Sequence, residues 1–323
     1  MTTDRIDRER IRAAAARIAP FVLSTPLVPF GSSGVLLKAE NLQPSGAFKL
    51  RGAFNTLLQL PEAARRRGVV AHSSGNHAVA VAFAAQKLGV PATIVMPEDA
   101  PRVKLDWTRA LGATVDLVGP ASSERARRAA ELAQRDGLAP VQPYDAETII
   151  EATASITNEI VADLDARAHV GPVDLYVPVS GGGLIAGMAL AASQAERDIR
   201  VVGVEPETAA DALASLRAGE RVELPAEQMA TTLADGLRVA VLGERTWPYV
   251  RDCVAEIVTV SESEIRTFMA RIVLATRMVA EPSGAVAPAA AALGRGAREN
   301  ALRVAVVSGG NVDPTLLRAV LSD

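Results

Sequence analysis

Short β-branched runs alternate with alanine-rich stretches along most of this chain. Eight runs read as strands: 35–40, 68–73, 92–97, 113–119, 174–180, 200–206, 256–261 and 302–309. Between them, 76–88, 101–111, 122–136, 147–166, 183–196 and 262–279 read as helices. The N-terminal stretch "MTTDRIDRERIRAAAARIA" reads as an amphipathic surface helix. Strand and helix in alternation predict an α/β fold of parallel sheets with helices on both faces. Several strands run into small polar or glycine-rich segments just before a helix: "HSSGNHA" (72–78), "VSGGGLIAG" (179–187), "VEPETAAD" (204–211) and "VSGGNVD" (307–313). In open α/β sheets ligands collect outside the carboxyl ends of the strands. The clustering predicts one ligand site built from several loops.

Composition narrows the class. Hydrophobic residues make up 49% of 323 and charged residues 22%, ordinary for a globular chain. A net charge of -3 gives no nucleic-acid or anionic-membrane surface. No apolar run reaches the roughly 18–20 residues a bilayer span needs, and the charged N-terminus lacks a signal-peptide core. The single Cys253 excludes an intramolecular disulfide framework, and with three histidines it argues against zinc. A reducing cytoplasm is the expectation.

Three motifs carry chemistry. In "VPVSGGGLIAG", Gly181, Gly182 and Gly183 let backbone N–H groups approach an anion at a helix start, so a phosphate suits the turn. The spacing is neither a Walker loop nor G-x-G-x-x-G, and an ordinary tight turn is the competing explanation. Ser73, Ser74 and Asn76 either cap the helix that follows or offer donors to a carboxylate; the two uses are compatible. "SGAFKLRG" (45–52) holds one of only four lysines. Lys49 is either a solvated cation or, shielded by Phe48, an amine of lowered pKa able to attack a carbonyl and act as a base. Phosphate, carbonyl-seeking lysine and carboxylate pocket together point to pyridoxal phosphate and an amino-acid substrate.

The chain resembles the pyridoxal-phosphate enzymes of the tryptophan-synthase-β fold type, and within them the serine/threonine dehydratase and serine racemase branch. The likeness runs through "TPL" (25–27), "ENLQPSGAFKLRGA" (40–53), "SSGNHA" (73–78), "GGGLIAG" (181–187), "LADG" (233–236), "EPSGA" (281–285) and "SGGN" (308–311). It implies two domains, each an open, mostly parallel twisted sheet: residues 1–55 with 147–323 forming a large cofactor-binding domain, and 56–146 a small mobile one. It further implies that Lys49 forms the Schiff base, Phe48 flanks the ring, and Ser180, Gly181, Gly182, Gly183 and the Leu184 N–H hold the phosphate. Asn76 would meet the 3-hydroxyl and Ser308 the ring nitrogen. Ser73, Asn76, His77 and, on domain closure, Arg125 would hold the substrate carboxylate, although Arg125 equally suits a plain helix surface. Glu205, the Ala209 carbonyl and Asp211 would hold Mg²⁺ or Ca²⁺, as hard oxygen ligands do; a solvated acidic turn is the alternative.

The implied activity is dehydration of L-threonine or L-serine to a 2-oxo acid and ammonia by a homodimer. Ser74 brings in a rival, because a serine here could return a proton to the opposite face of Cα, as a serine or 3-hydroxyaspartate racemase requires. A non-catalytic amino-acid-binding protein of the same fold is the alternative of a different class; Lys49, Asn76 and Ser308 together speak against it. The chain departs from the family in three places: Ser180 replaces a first glycine, "ATAS" (152–155) stands for Gly-Gln-Gly-Thr, and Val79 for glutamine. The second departure removes two flexible positions and bears on substrate scope. The sequence stops at Asp323, short of an isoleucine-sensing domain, so feedback inhibition is not expected.

Overall fold

The computed structural model describes residues 6–100 and 102–322. Residues 1–5 of the expected N-terminal helix, and Pro101 at the head of the expected 101–111 helix, lie outside them. Among the described residues ten strands form two sheets. They are β1 (Leu27–Pro29), β2 (Val35–Lys38), β3 (Val69–His72), β4 (Ala92–Pro97), β5 (Thr114–Val118), β6 (Ala139–Pro140), β7 (Val173–Pro178), β8 (Ile199–Pro206), β9 (Glu256–Val260) and β10 (Leu302–Val306). One sheet runs β1-β2-β10-β7-β8-β9 and the other β5-β4-β3-β6. Every pair is parallel except β1 with β2.

All eight expected strands are present, with ends that shift by at most three residues. β1 and β6 were not expected: they have three and two residues, each with a proline. So short a run carries no periodicity, and only the partner strand makes it a strand. Every residue of β7 is buried, as a central parallel strand covered by helices on both faces must be. The helix Lys49–Gln59 sends Leu50, Ala53, Phe54 and Leu57 into the apolar cluster beneath β3 and β4, together with Ile18 of the helix Arg8–Ile18. Arg10 of that first helix pairs with Glu147 at 2.6 Å and fastens it to the helix Glu147–Ala166.

A buried ionic cluster fixes the segment carrying the motif lysine. Arg51 pairs with Glu40 at 2.8 Å and with Glu159 at 2.6 Å, and Lys38 pairs with Glu159 at 2.6 Å. Burial works to raise the Glu40 carboxyl, but the Arg51 guanidinium outweighs it and holds Glu40 below the ordinary carboxylate range. Ser155, in the departing "ATAS" stretch, accepts from Arg51 at 3.1 Å and so joins this cluster. Among the described residues no helix is long and apolar enough to cross a membrane.

Candidate active site

The polar segments gather where the strands end. β3 feeds 73–77, β7 feeds 180–184, β8 feeds 209–211 and β10 feeds 308–311, all at carboxyl ends. An isolated bridge joins Ala47 to Gly309, and the Phe48 N–H donates to the Ser308 carbonyl at 3.0 Å. These bonds set Lys49, first residue of its helix, beside the end of β10.

Lys49 does not extend into bulk water. Its Nζ donates to the Pro143 carbonyl at 2.5 Å and lies 5.1 Å from the Phe48 ring centroid. The side chain keeps some solvent contact, yet the surrounding protein desolvates its charged form and pulls the amine down to about 8. The next residue, Tyr144, packs against the glycine turn. A Cβ on Gly181 would run into the Tyr144 ring, and one on Gly183 would lie 2.8 Å from the Tyr144 carbonyl oxygen. Gly182 has φ +92°, a left-handed conformation that disfavours a side chain. The adjacent residues Pro143 and Tyr144 thus join the lysine to the turn, a link that no local pattern in the sequence signals.

The turn fits a phosphate. It opens the helix Gly183–Gln194, whose first N–H groups lack intrahelical acceptors and lie at the positive end of the dipole. Ser180 Oγ is buried without a hydrogen-bond partner, as a donor awaiting an anion would be. Leu184 follows in the first helical turn.

The 73–77 loop faces this arrangement from β3. The Gly75 N–H donates to Ser73 Oγ at 3.1 Å, and Ser74 is half-buried at the turn. His77 is buried, and its Nε2 lies 3.0 Å from the Val141 carbonyl. Burial, followed by the Lys49 charge, drives His77 down to about 3, so the ring is neutral. With the ring committed to a backbone carbonyl, His77 has its N–H at the start of the helix Asn76–Leu88 to offer a carboxylate. Asn76 donates to Glu281 Oε1 at 2.5 Å and accepts from Asn311 Nδ2 at 2.8 Å. Ser308 is buried, its Oγ 3.3 Å from the Ser283 carbonyl.

Arg125 folds back rather than standing in solvent. Its Nη1 donates to the Pro120 carbonyl at 2.6 Å, and its Nε is buried without a partner. Burial lowers the Arg125 guanidinium, and after burial its charge is what lowers His72 at the end of β3. The arginine therefore lies within electrostatic reach of the end of β3, where the 73–77 loop begins.

Two further groups line a neighbouring cleft: Lys104, to which the sequence gives no role, and Glu281 of the family motif "EPSGA", expected near the cofactor ring without a proton-transfer role. Lys104 Nζ pairs with Asp235 at 2.9 Å across a cleft of about 320 Å³, lined also by Trp107, Glu281, Asn311 and Asp313. Glu281 is buried, and burial with the neighbouring Asp235 charge pushes it up to about 7. Nothing in the string links Lys104 to Asp235, 131 residues apart.

Away from the lysine, Glu205 at the end of β8 accepts from the Ala212 N–H at 3.0 Å and the Leu213 N–H at 2.9 Å. Asp211 is fully buried, and neither of its oxygens has a hydrogen-bond partner. Two buried carboxylates with an orphaned pair of oxygens suit a hard cation. No group of three or more His, Cys, Asp or Glu side chains forms a metal cluster among the described residues, so backbone or water must complete any such shell.

The model of the pyridoxal-phosphate dependent enzyme family matches residues 18–310. The chain belongs to that family. It is 36% identical over 310 residues to a serine racemase of Schizosaccharomyces pombe, covering 94% of this chain and 93% of that one. An L-threo-3-hydroxyaspartate ammonia-lyase of a Pseudomonas species is 38% identical over 307 residues, covering 94% and 93%. The crystal structure of a T.th. threonine deaminase superposes with a TM-score of 0.88 at 41% identity, covering 95% of this chain and 99% of that one. Family membership implies pyridoxal phosphate as the cofactor, and the expected α/β architecture with two parallel-dominated sheets agrees with these neighbours.

Proposed function

We propose that this pyridoxal-phosphate enzyme removes water from a small β-hydroxy L-amino acid, L-threonine or L-serine, giving 2-oxobutyrate or pyruvate and ammonia. The observation that carries the reading is the Lys49 amine, held at 2.5 Å from the Pro143 carbonyl and drawn down to about 8, one residue from Tyr144, which packs against the glycine turn. Bound pyridoxal phosphate supplies an aldehyde for the substrate amine and a π-system that stabilises negative charge at Cα. Ser180, Gly181, Gly182, Gly183 and the Leu184 N–H hold its phosphate. Phe48 lines the ring, Asn76 meets the 3-hydroxyl, and Ser308 faces the ring nitrogen as a neutral hydroxyl that does not keep that nitrogen protonated.

Ser73, Asn76 and the N–H of His77 hold the substrate carboxylate at a helix N-terminus, where a negative charge is stabilised. Arg125 comes onto the same carboxylate when the small unit, residues 56–146, closes on the large one, 1–55 with 147–323. Lys49 Nζ, neutral for a useful fraction of molecules near pH 8, takes the Cα proton. The Cβ hydroxyl departs as water, taking up the proton that Lys49 removed from Cα, and one water is consumed when the released enamine hydrolyses, so atoms balance. Glu205, the Ala209 carbonyl and Asp211 hold Mg²⁺ or Ca²⁺ as a structural ion. The working form is a cytoplasmic homodimer.

Ser74 supports a second activity, racemisation of serine or 3-hydroxyaspartate, because its hydroxyl sits half-buried on the carboxylate loop and can pass a proton. A panel of β-hydroxy amino acids assayed for 2-oxo acid and ammonia, with chiral analysis of residual substrate, separates the two. Dehydration predicts 2-oxo acid and ammonia in equal amounts. D-serine that accumulates, and is lost in Ser74→Ala, shifts the assignment to the racemase. Neither product from any substrate refutes both.

A further inference from the structure

The glycine turn is held from behind by two threonines. The Gly181 carbonyl accepts from Thr246 Oγ1 at 2.8 Å and from the Gly243 N–H at 3.2 Å. The Gly183 carbonyl accepts from Thr153 Oγ1 at 2.8 Å. Both threonines are fully buried. Thr153 lies within the helix Glu147–Ala166, and Thr246 directly precedes the helix Trp247–Cys253. Thr153 Oγ1 also lies 3.0 Å from the Ile149 carbonyl and 3.2 Å from that of Ile150. A hydroxyl has one proton to donate, and the Gly183 oxygen is the nearest of the three.

A trans peptide is planar, so a carbonyl and the N–H that follows it point in opposite directions. Holding the Gly181 oxygen against Thr246 turns the Gly182 N–H to the far side. Holding the Gly183 oxygen against Thr153 does the same for the Leu184 N–H. Both belong to the opening of the helix Gly183–Gln194, where N–H groups have no intrahelical acceptor.

We propose that Thr153 and Thr246 are positioning residues for the cofactor phosphate: by drawing back two carbonyls they present the Gly182 and Leu184 N–H groups to it. The proposal rests on the reading of this turn as the phosphate site. It also gives the "ATAS" departure a role, since Thr153 stands in that stretch and supplies a hydroxyl donor behind the turn. The support is continuous with the lysine. Asp145 accepts from the N–H groups of Glu244 at 3.1 Å, Arg245 at 2.8 Å and Thr246 at 3.2 Å, and Asp145 is two residues from the Pro143 carbonyl that holds Lys49 Nζ. One segment, 143–145, thus sets the distance between amine and phosphate.

The test compares binding of pyridoxal phosphate and of pyridoxal, which lacks the phosphate, by absorbance titration of the full chain. Thr153→Ala and Thr153→Ser are measured side by side, and likewise Thr246→Ala and Thr246→Ser. Each pair differs by one hydroxyl, and neither member overfills the site. The expected result is pyridoxal phosphate affinity weaker by about tenfold, or about 1.4 kcal/mol, in each alanine variant relative to its serine partner, with pyridoxal affinity equal in the two. Equal phosphate-form affinity in alanine and serine variants overturns the proposal. So does an equal loss for both ligands, which would mean general damage to the lysine pocket. A wild-type chain that binds pyridoxal as tightly as pyridoxal phosphate overturns the reading of the turn itself, a distinct failure seen before any substitution is made.

Discussion

Asp211→Asn is the most searching perturbation of the buried carboxylate pair. Asp211 and Glu205 are both 0% exposed, and neither Asp211 oxygen meets a donor. Burial, with the Asp211 charge as the next cause for Glu205, raises both carboxyls, and Asp211 reaches about 7. An unfolded aspartate titrates near 3.9. Between about pH 4 and pH 7 the folded chain therefore holds protons that the unfolded chain releases. Stability falls as pH rises through that window, and the full penalty stands above about pH 7. Some three pH units at 1.36 kcal/mol each come to roughly 4 kcal/mol, an energy that belongs to the pair. With an unfolding entropy of about 2.1 cal/mol/K per residue, 323 residues give ~0.7 kcal/mol/K, so the penalty corresponds to ~6 °C in Tm. A divalent cation bound at the pair as proposed would offset it by neutralising the two charges, in competition with protons. Thermal unfolding after EDTA treatment should give a higher Tm at pH 6 than at pH 8. Added Mg²⁺ or Ca²⁺ should raise Tm by several degrees at pH 8 and much less at pH 5.5. Asp211→Asn should raise the metal-free Tm at pH 8 and abolish the cation response. A cation response larger at pH 5.5, or one undiminished in the asparagine variant, refutes the reasoning.

The remaining predictions concern the cofactor site and its foundation. Cofactor capture needs the neutral Lys49 amine, so its rate should rise with pH around a midpoint of about 8; a midpoint near the ordinary lysine value of ~10.4 contradicts the desolvation argument, and Lys49→Ala should show neither the visible absorbance of bound cofactor nor turnover. Gly181→Ala drives a methyl into the Tyr144 ring, and overpacking of this kind costs about 1–3 kcal/mol; cofactor retention on gel filtration should fall, and wild-type retention would place the cradle elsewhere. Arg51→Met leaves Glu40 buried without its guanidinium, a loss of about 3–5 kcal/mol visible in urea unfolding; a midpoint within error of wild type would mean the pair is dispensable.

What the string alone determined is local chemistry in order along the chain. β-branched runs marked eight strands because periodicity and flanking glycines act over a few residues, and the glycine turn with its helix start was legible for the same reason. The family likeness then assigned roles that no single motif supports. Tertiary structure decided the rest. β1 and β6 exist only because β2 and β3 pair with them. Val141 takes the His77 ring, and the Arg125 charge reaches His72; both depend on segments brought close by folding. The link from Lys49 through Pro143 and Tyr144 to Gly181 spans distant segments, as do the Lys104–Asp235 ion pair and the Thr153 and Thr246 contacts behind the turn. Contacts between remote residues follow from how sheets and helices stack, and side-chain spacing within one segment carries no record of them.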